Sequence, residues 1–202
     1  YLADVLAMID SLIIDLAAFS GLAMESMTRT YTWRFLDFGR RLERALQTIG
    51  LLKYALVQPQ PPSAPLLEAV LEIADSLMTY RSRYLANLQL GPVLDLLLTD
   101  ETNPRSVAFQ LVNIVDQVNA LPRERAQATY SREQRLAMST LHSIRMLDVV
   151  ALAEIHEQGA RDKLRRILEN LEHRLPEVSD AISHQYLTHA GRTRRLSEIP
   201  GE

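Results

Sequence analysis

The 202-residue chain contains no cysteine, so it has no disulfide, no thiolate metal site and no cysteine nucleophile. Glycine is scarce, with 7 residues in all, which disfavours glycine-loop and turn-rich β architectures. Lysine is nearly missing: of 22 basic side chains, all but Lys53 and Lys163 are arginine. Neither sign of charge dominates, and a formal net charge of −3 gives no global attraction to nucleic acid. No uninterrupted apolar run approaches the roughly 18 residues of a membrane span, and no signal-peptide pattern is visible. A cytoplasmic protein without a membrane or nucleic-acid partner is therefore expected.

The familiar catalytic apparatus is missing as well. Neither G-x-x-x-x-G-K-S/T nor G-x-G-x-x-G occurs, so the standard phosphate loops are lacking. H-E-x-x-H, Glu-x-x-His and Ser-x-x-Lys do not occur either. Glu169 with His173, and Asp180 with His184, are four residues apart, the spacing of ordinary helix-surface partners. No metal and no cofactor are expected, and catalysis by this chain alone is not.

What is present is helical patterning. Hydrophobic residues make up 47% and charged residues 23%, a globular balance. Apolar residues recur at helical spacing nearly throughout, without period-2 segments. The pattern predicts an all-α fold, an antiparallel bundle of about six or seven helices, over a single domain 1–202. The first helix carries Val5, Ile9, Leu12, Leu16 and Phe19 and runs to about Ser26; a second spans Thr32 to Val57. Residues 58–63 form a proline-rich loop. Ser63 caps a third helix bearing Leu67, Val70, Leu71, Ala74, Leu77, Met78 and Leu85. A short apolar helix, Val93 to Leu98, follows Gly91-Pro92, and Pro104 opens the next helix, to about Ala120. Ser131-Arg132-Glu133-Gln134 is a capping box whose helix should run to about Glu157. The last helix repeats Leu164, Leu168, Leu171, Leu175, Val178 and Ile182, with Pro176 expected to kink or divide it. Residues 191–202 read as a frayed tail.

The second helix is the most informative. At about 100° per residue, Phe35, Phe38, Leu42, Ala45, Leu46 and Ile49 form one apolar face. Trp33, Leu36, Gly39, Gly50 and Leu51 form a second, which also holds Arg40 and Glu43. A helix apolar on two sides is expected at the centre of its bundle, with Gly39 and Gly50 allowing close approach. Arg40 and Glu43 should then be partly buried and paired, because an unpaired buried charge is costly. Arg81, within the third helix's apolar stripe, and Arg105, in the first turn of its helix, are the candidate partners for a carboxylate or a bound anion.

Phe19 to Arg29, then Trp33-Arg-Phe-Leu-Asp-Phe-Gly-Arg-Arg-Leu-Glu43-Arg44-Ala45, resembles the alpha-E domain family, which is named for a Glu-Arg motif. Tyr80-Arg81-Ser-Arg83-Tyr84, Asn103-Pro-Arg-Ser106 and Ser183-His-Gln-Tyr186-Leu-Thr-His189 resemble it too. The similarity extends over nearly the whole chain and fits the C-terminal part of the domain. Family members begin with a further helical segment carrying an earlier Glu-Arg copy. The chain thus reads as a fragment of a longer alpha-E domain, or of a fusion with an ATP-grasp protein.

The resemblance implies an all-helical, non-catalytic accessory module of a peptide-ligase system. Its partner would be a circularly permuted ATP-grasp protein, fused or separate, with a transglutaminase-like protein in the same system. The module would dock on the ligase or hold an anionic peptide or acyl-phosphate group. The residues for such an anion site, or for an ion-pair network, are Arg29, Trp33, Arg34, Arg40, Arg41, Glu43, Arg44, Arg81, Arg83, Tyr84 and Arg105. Two alternatives stand beside this reading. One is an enzyme in its own right, with Glu43 as general base over an arginine anion site. The other is a helical scaffold or homo-oligomerisation unit.

Overall fold

A computed structural model describes residues 1–58, 60–84, 87–122, 129–154 and 161–187. Among them are nine α-helices, two π-helical turns and no strand. The expected tail, 191–202, and the predicted helix end near Glu157 lie outside the described residues. The chain divides into two compact units, Tyr1–Gly39 and Arg40–Glu202.

The first unit holds α1 (Leu2–Ser26) and the start of α2 (Tyr31–Leu56). α1 is long and apolar enough to cross a membrane by length and composition alone. This corrects the expectation from uninterrupted runs, because isolated acidic residues such as Asp10 and Asp15 break a run without making the helix polar. Its large side chains, among them Leu6, Ile9, Ile13 and Phe19, are exposed. Between the two helices, the Arg29 guanidinium donates to the Met24 carbonyl at 2.5 Å and lies 4.4 Å from the centre of the Trp33 ring.

The second unit contains the extensive core. Its centre is α5 (Leu90–Leu94), which continues into a π-helical turn, Asp95–Thr99. Val93, Leu94, Leu96, Leu97 and Leu98 have no exposed surface. A helix that is apolar all round has to be buried on every side, and this one, rather than α2, occupies that position. Within this unit α2 buries one stripe, Ala45, Ile49, Leu52 and Leu56, while Tyr54 stands exposed. The second-face expectation fails for a concrete reason: a Cβ built at Gly39 or Gly50 meets nothing within 4 Å, so neither glycine marks a close helix approach.

The helices run antiparallel where their contacts can be followed. Arg41 meets Gln110 and Thr48 meets the Arg105 carbonyl, so α2 and α6 (Val107–Asn119) run in opposite directions. Gln134, at the start of α7 (Arg132–Arg145), donates to Asn119, at the end of α6. Arg174 on α9 (Asp162–Ile182) donates to Ser139, and Tyr186 beyond it reaches back to Glu133. The expected seam Leu164, Leu168, Leu171, Leu175, Val178 and Ile182 is buried. Pro176 sits inside one continuous helix rather than dividing it.

Two predicted helices prove to be broken, which raises the helix number above six or seven. The third ends at Ile73 and restarts as α4 (Leu77–Tyr84), after α3 (Ala64–Ile73). The break is a Schellman motif. Ser76 N–H bonds to Leu71 C=O at 2.8 Å and Asp75 N–H to Glu72 C=O at 2.9 Å, with Asp75 left-handed at φ 49°. The Ser131 capping box forms as expected. Its helix, however, stops at Arg145, and α8 (Val149–Ala153) begins separately under an Asp148 cap.

Candidate functional site

The richest polar arrangement surrounds the segment Asp100–Ser106, between the π-helical turn and α6. It begins in the turn itself, where Asp100 N–H bonds five residues back to Asp95 C=O at 2.9 Å. The Asp95 carboxylate accepts from Thr99 at 2.7 Å and from the Tyr84 hydroxyl at 2.8 Å. Burial, and then the bond to Asp95, push the Tyr84 hydroxyl up to about 12, because both oppose a phenolate beside a carboxylate.

The segment is fixed from inside by two buried side chains. Asn103 donates to Leu96 C=O at 2.9 Å and to the Ser76 hydroxyl at 3.3 Å, and accepts from Arg105 N–H at 3.2 Å. Ser106 caps α6 by accepting from Phe109 N–H at 3.0 Å and donates to Asp100 C=O. With Ser106 as the cap, Arg105 precedes the helix instead of lying in its first turn as expected.

Arginines from several elements hold the outside. Arg83 on α4 donates to Asp100 and, at 2.9 Å, to the Thr102 hydroxyl. Burial pushes the Asp100 carboxyl up, but the hydrogen bonds from Thr102 and Arg83 outweigh it, and the group sits below its ordinary range. Arg105 pairs with Asp75 at 2.5 Å. Arg145 on α7 grips Glu101 with two parallel bonds, 2.6 and 2.9 Å, which lowers the glutamate and raises the arginine. Gln110 donates to Pro104 C=O at 2.5 Å and accepts from Arg41 at 3.5 Å. Finally, the Thr48 hydroxyl lies 3.0 Å from Arg44 C=O and 3.3 Å from Arg105 C=O. The turn of α2 that carries the Glu-Arg pair is thus placed against this segment.

The fold brings Arg41, Arg44, Arg83, Tyr84 and Arg105 to this region. Within the same unit, Arg40, Glu43 and Arg81 are not among its contacts. Arg29, Trp33 and Arg34 belong to the first unit. Arg40 is half-buried on α2, but Glu43 is exposed and accepts from Gln47 at 3.1 Å, not from an arginine. Arg81 is exposed and pairs with Glu68 at 2.7 Å. The break at Asp75 resets the helical phase, so the stripe that placed Arg81 inward ends there, and Met78 is 76% exposed. Sequence reasoning missed Asp95, Asp100, Glu101 and Arg145. The dense run of turn formers Thr99-Asp-Glu-Thr-Asn-Pro-Arg-Ser106 was the available signal for Asp100 and Glu101; nothing local marks Asp95 or Arg145. No group of three or more metal-ligating side chains occurs among the described residues.

The model of the Alpha-E family, "a predicted alpha-helical domain with a conserved ER motif", matches residues 2–187. The chain holds Glu-Arg twice, at Glu43-Arg44 and at Glu124-Arg125, the second outside the described residues. Relatives include an uncharacterized protein of Mycobacterium bovis and uncharacterized proteins of two strains of Mycobacterium tuberculosis. Each is 30% identical over 179 residues, covering 88% of this chain and 20% of the relative. The chain therefore spans about a fifth of the length of these relatives. No solved structure matches.

Proposed function

The chain belongs to the Alpha-E family, and from that membership we propose that it is a non-catalytic, cytoplasmic helical module of a peptide-ligase system, working with an ATP-grasp partner that supplies the nucleotide chemistry. The observation that supports this reading is the arginine-ringed segment Asp100–Ser106. Arg83 and Arg145 reach it from α4 and α7, and Arg105 belongs to it; each is already held by a carboxylate. Each keeps between 40% and 47% of its side chain exposed, so donors remain for an incoming anion. A guanidinium fork held in one orientation binds a carboxylate or phosphate bidentately with little further ordering cost. The Glu43-Arg44 turn lies on the α2 side of the same segment. In this reading the segment presents an anionic peptide group, or the acidic rim of the partner, to the ligase.

The test is nucleotide-dependent ligation by the ATP-grasp partner, assayed with and without this chain. Arg83→Ala combined with Arg145→Ala should remove the chain's effect while leaving it folded. An undiminished effect would discard the segment as the contact.

A second reading, a scaffold or dimerisation unit, draws on the exposed apolar side chains of α1. Sedimentation of the isolated chain separates the two, since a dimer that dissociates on Leu6→Glu with Ile13→Glu would favour the scaffold.

A further inference from the structure

Away from this segment, a cavity of about 380 Å³ opens beside the end of α2 and the start of α9. Pro61, Pro62, Leu67, Leu90 and Ala153 line it together with Arg161. Arg161 is 3% exposed, and its charge has no carboxylate partner among the described residues. Its Nη1 donates to Leu56 C=O at 2.7 Å and to Gln58 C=O at 3.0 Å, which uses both protons of that nitrogen. Nε, although buried, has no hydrogen-bond partner among the described residues. Nε and Nη2 together form one of the two edges through which a guanidinium grips a carboxylate in a fork.

Two further observations single out this arginine. Its backbone is left-handed, φ 75°, at the N-cap of α9. Glycine or asparagine fits that conformation with less strain, so the side chain is kept at a backbone cost. Burial also lowers its pKa, as expected of a cation with no carboxylate beside it among the described residues. A buried charge without a partner is among the costlier features a fold can carry.

We propose that this cavity is a binding site for a carboxylate carried on a short apolar group, held by the Arg161 guanidinium with the apolar part against Pro61, Leu67 and Leu90. The ligand supplies the missing charge and the missing acceptor together. Its chemistry is that of a small aliphatic acid or of the carboxyl end of an apolar peptide. The site is independent of the arginine-ringed segment and of any ligase partner.

Calorimetric titration of the 202-residue chain with hexanoate, hexanamide and inorganic phosphate tests this. Hexanoate should bind saturably, with hexanamide and phosphate weaker by at least about tenfold, since each lacks the fork acceptor or the apolar arm. Arg161→Asn should abolish the hexanoate signal while remaining folded, because asparagine suits both the left-handed backbone and the N-cap. Ala153→Leu, which fills the cavity and leaves Arg161 in place, should abolish it too and decides the matter if Arg161→Asn does not fold. Absence of saturable hexanoate binding, equal binding of hexanamide or phosphate, or unchanged binding in either variant would overturn the proposal.

Discussion

The Asn103 carboxamide donates to Leu96 C=O at 2.9 Å and thereby ties the arginine-ringed segment to the buried centre of the core. Both residues are essentially inaccessible to water. Asn103→Ala takes its side-chain partner from the buried Leu96 carbonyl and from the Arg105 amide. A stability loss of about 1–3 kcal/mol is expected. Urea unfolding checks it, and an unchanged midpoint would show that water reaches this site.

Tyr84 should titrate late. Its hydroxyl is held up to about 12 by burial and by the bond to Asp95, against an ordinary tyrosine value of about 10. A folded value above the unfolded one means that the unfolded chain loses its proton first. The resulting stabilisation is complete below about pH 10 and fades as pH rises toward 12. Absorbance at the tyrosinate band should show a late-titrating component in the folded chain that Tyr84→Phe removes. If Tyr84→Phe leaves the late part of the titration unchanged, the Asp95 bond does not persist in solution.

Asp75 occupies the left-handed position of the Schellman motif, φ 49°, and pairs with Arg105 through an exposed carboxylate. Exposed pairs contribute little, whereas the backbone requirement is strict. Asp75→Gly should therefore stay within about 1 kcal/mol of the parent. Asp75→Val should lose about 1–3 kcal/mol, because a β-branched residue resists positive φ. Thermal melts of the two variants separate backbone from charge; equal losses would assign the effect to the Arg105 pair instead.

Much of this fold was legible because helical periodicity survives locally. The limits of α1 and α2, the Ser63 cap, the Ser131 capping box and the Leu164–Ile182 seam all follow from residues within a few positions of one another. The break at Asp75 did not, since Ala74-Asp75-Ser76 carries no glycine or proline and apolar spacing continues across it. Once that break resets the phase, Arg81 turns outward to Glu68. The candidate site was legible as a list of arginines but not as a set of pairs. Arg83 with Asp100, and Arg145 with Glu101 at a separation of 44 residues, depend on how helices pack, which no local pattern encodes. Glu43 was misplaced because two half-apolar faces on one helix were both taken to be covered.

The position of Glu43 reverses what its removal should do. A buried Glu43 paired with arginine would cost about 3–5 kcal/mol on truncation, because a buried cation would be stranded. The observed Glu43 is exposed, and the bond it receives, from Gln47 one turn along, is the kind of surface contact worth a few tenths of a kcal/mol. Glu43→Ala should therefore change stability by no more than about 0.5 kcal/mol. The matching family is described by a conserved ER motif, and under the proposed function the exposed Glu43 carboxylate is assigned to recognition rather than to packing. In the ligation assay Glu43→Ala should accordingly weaken the chain's effect while the melting curve stays at its parent position. A fall of several kcal/mol would return Glu43 to a packing role, and parent-like behaviour in both measurements would remove the exposed Glu43 carboxylate from the proposed contact.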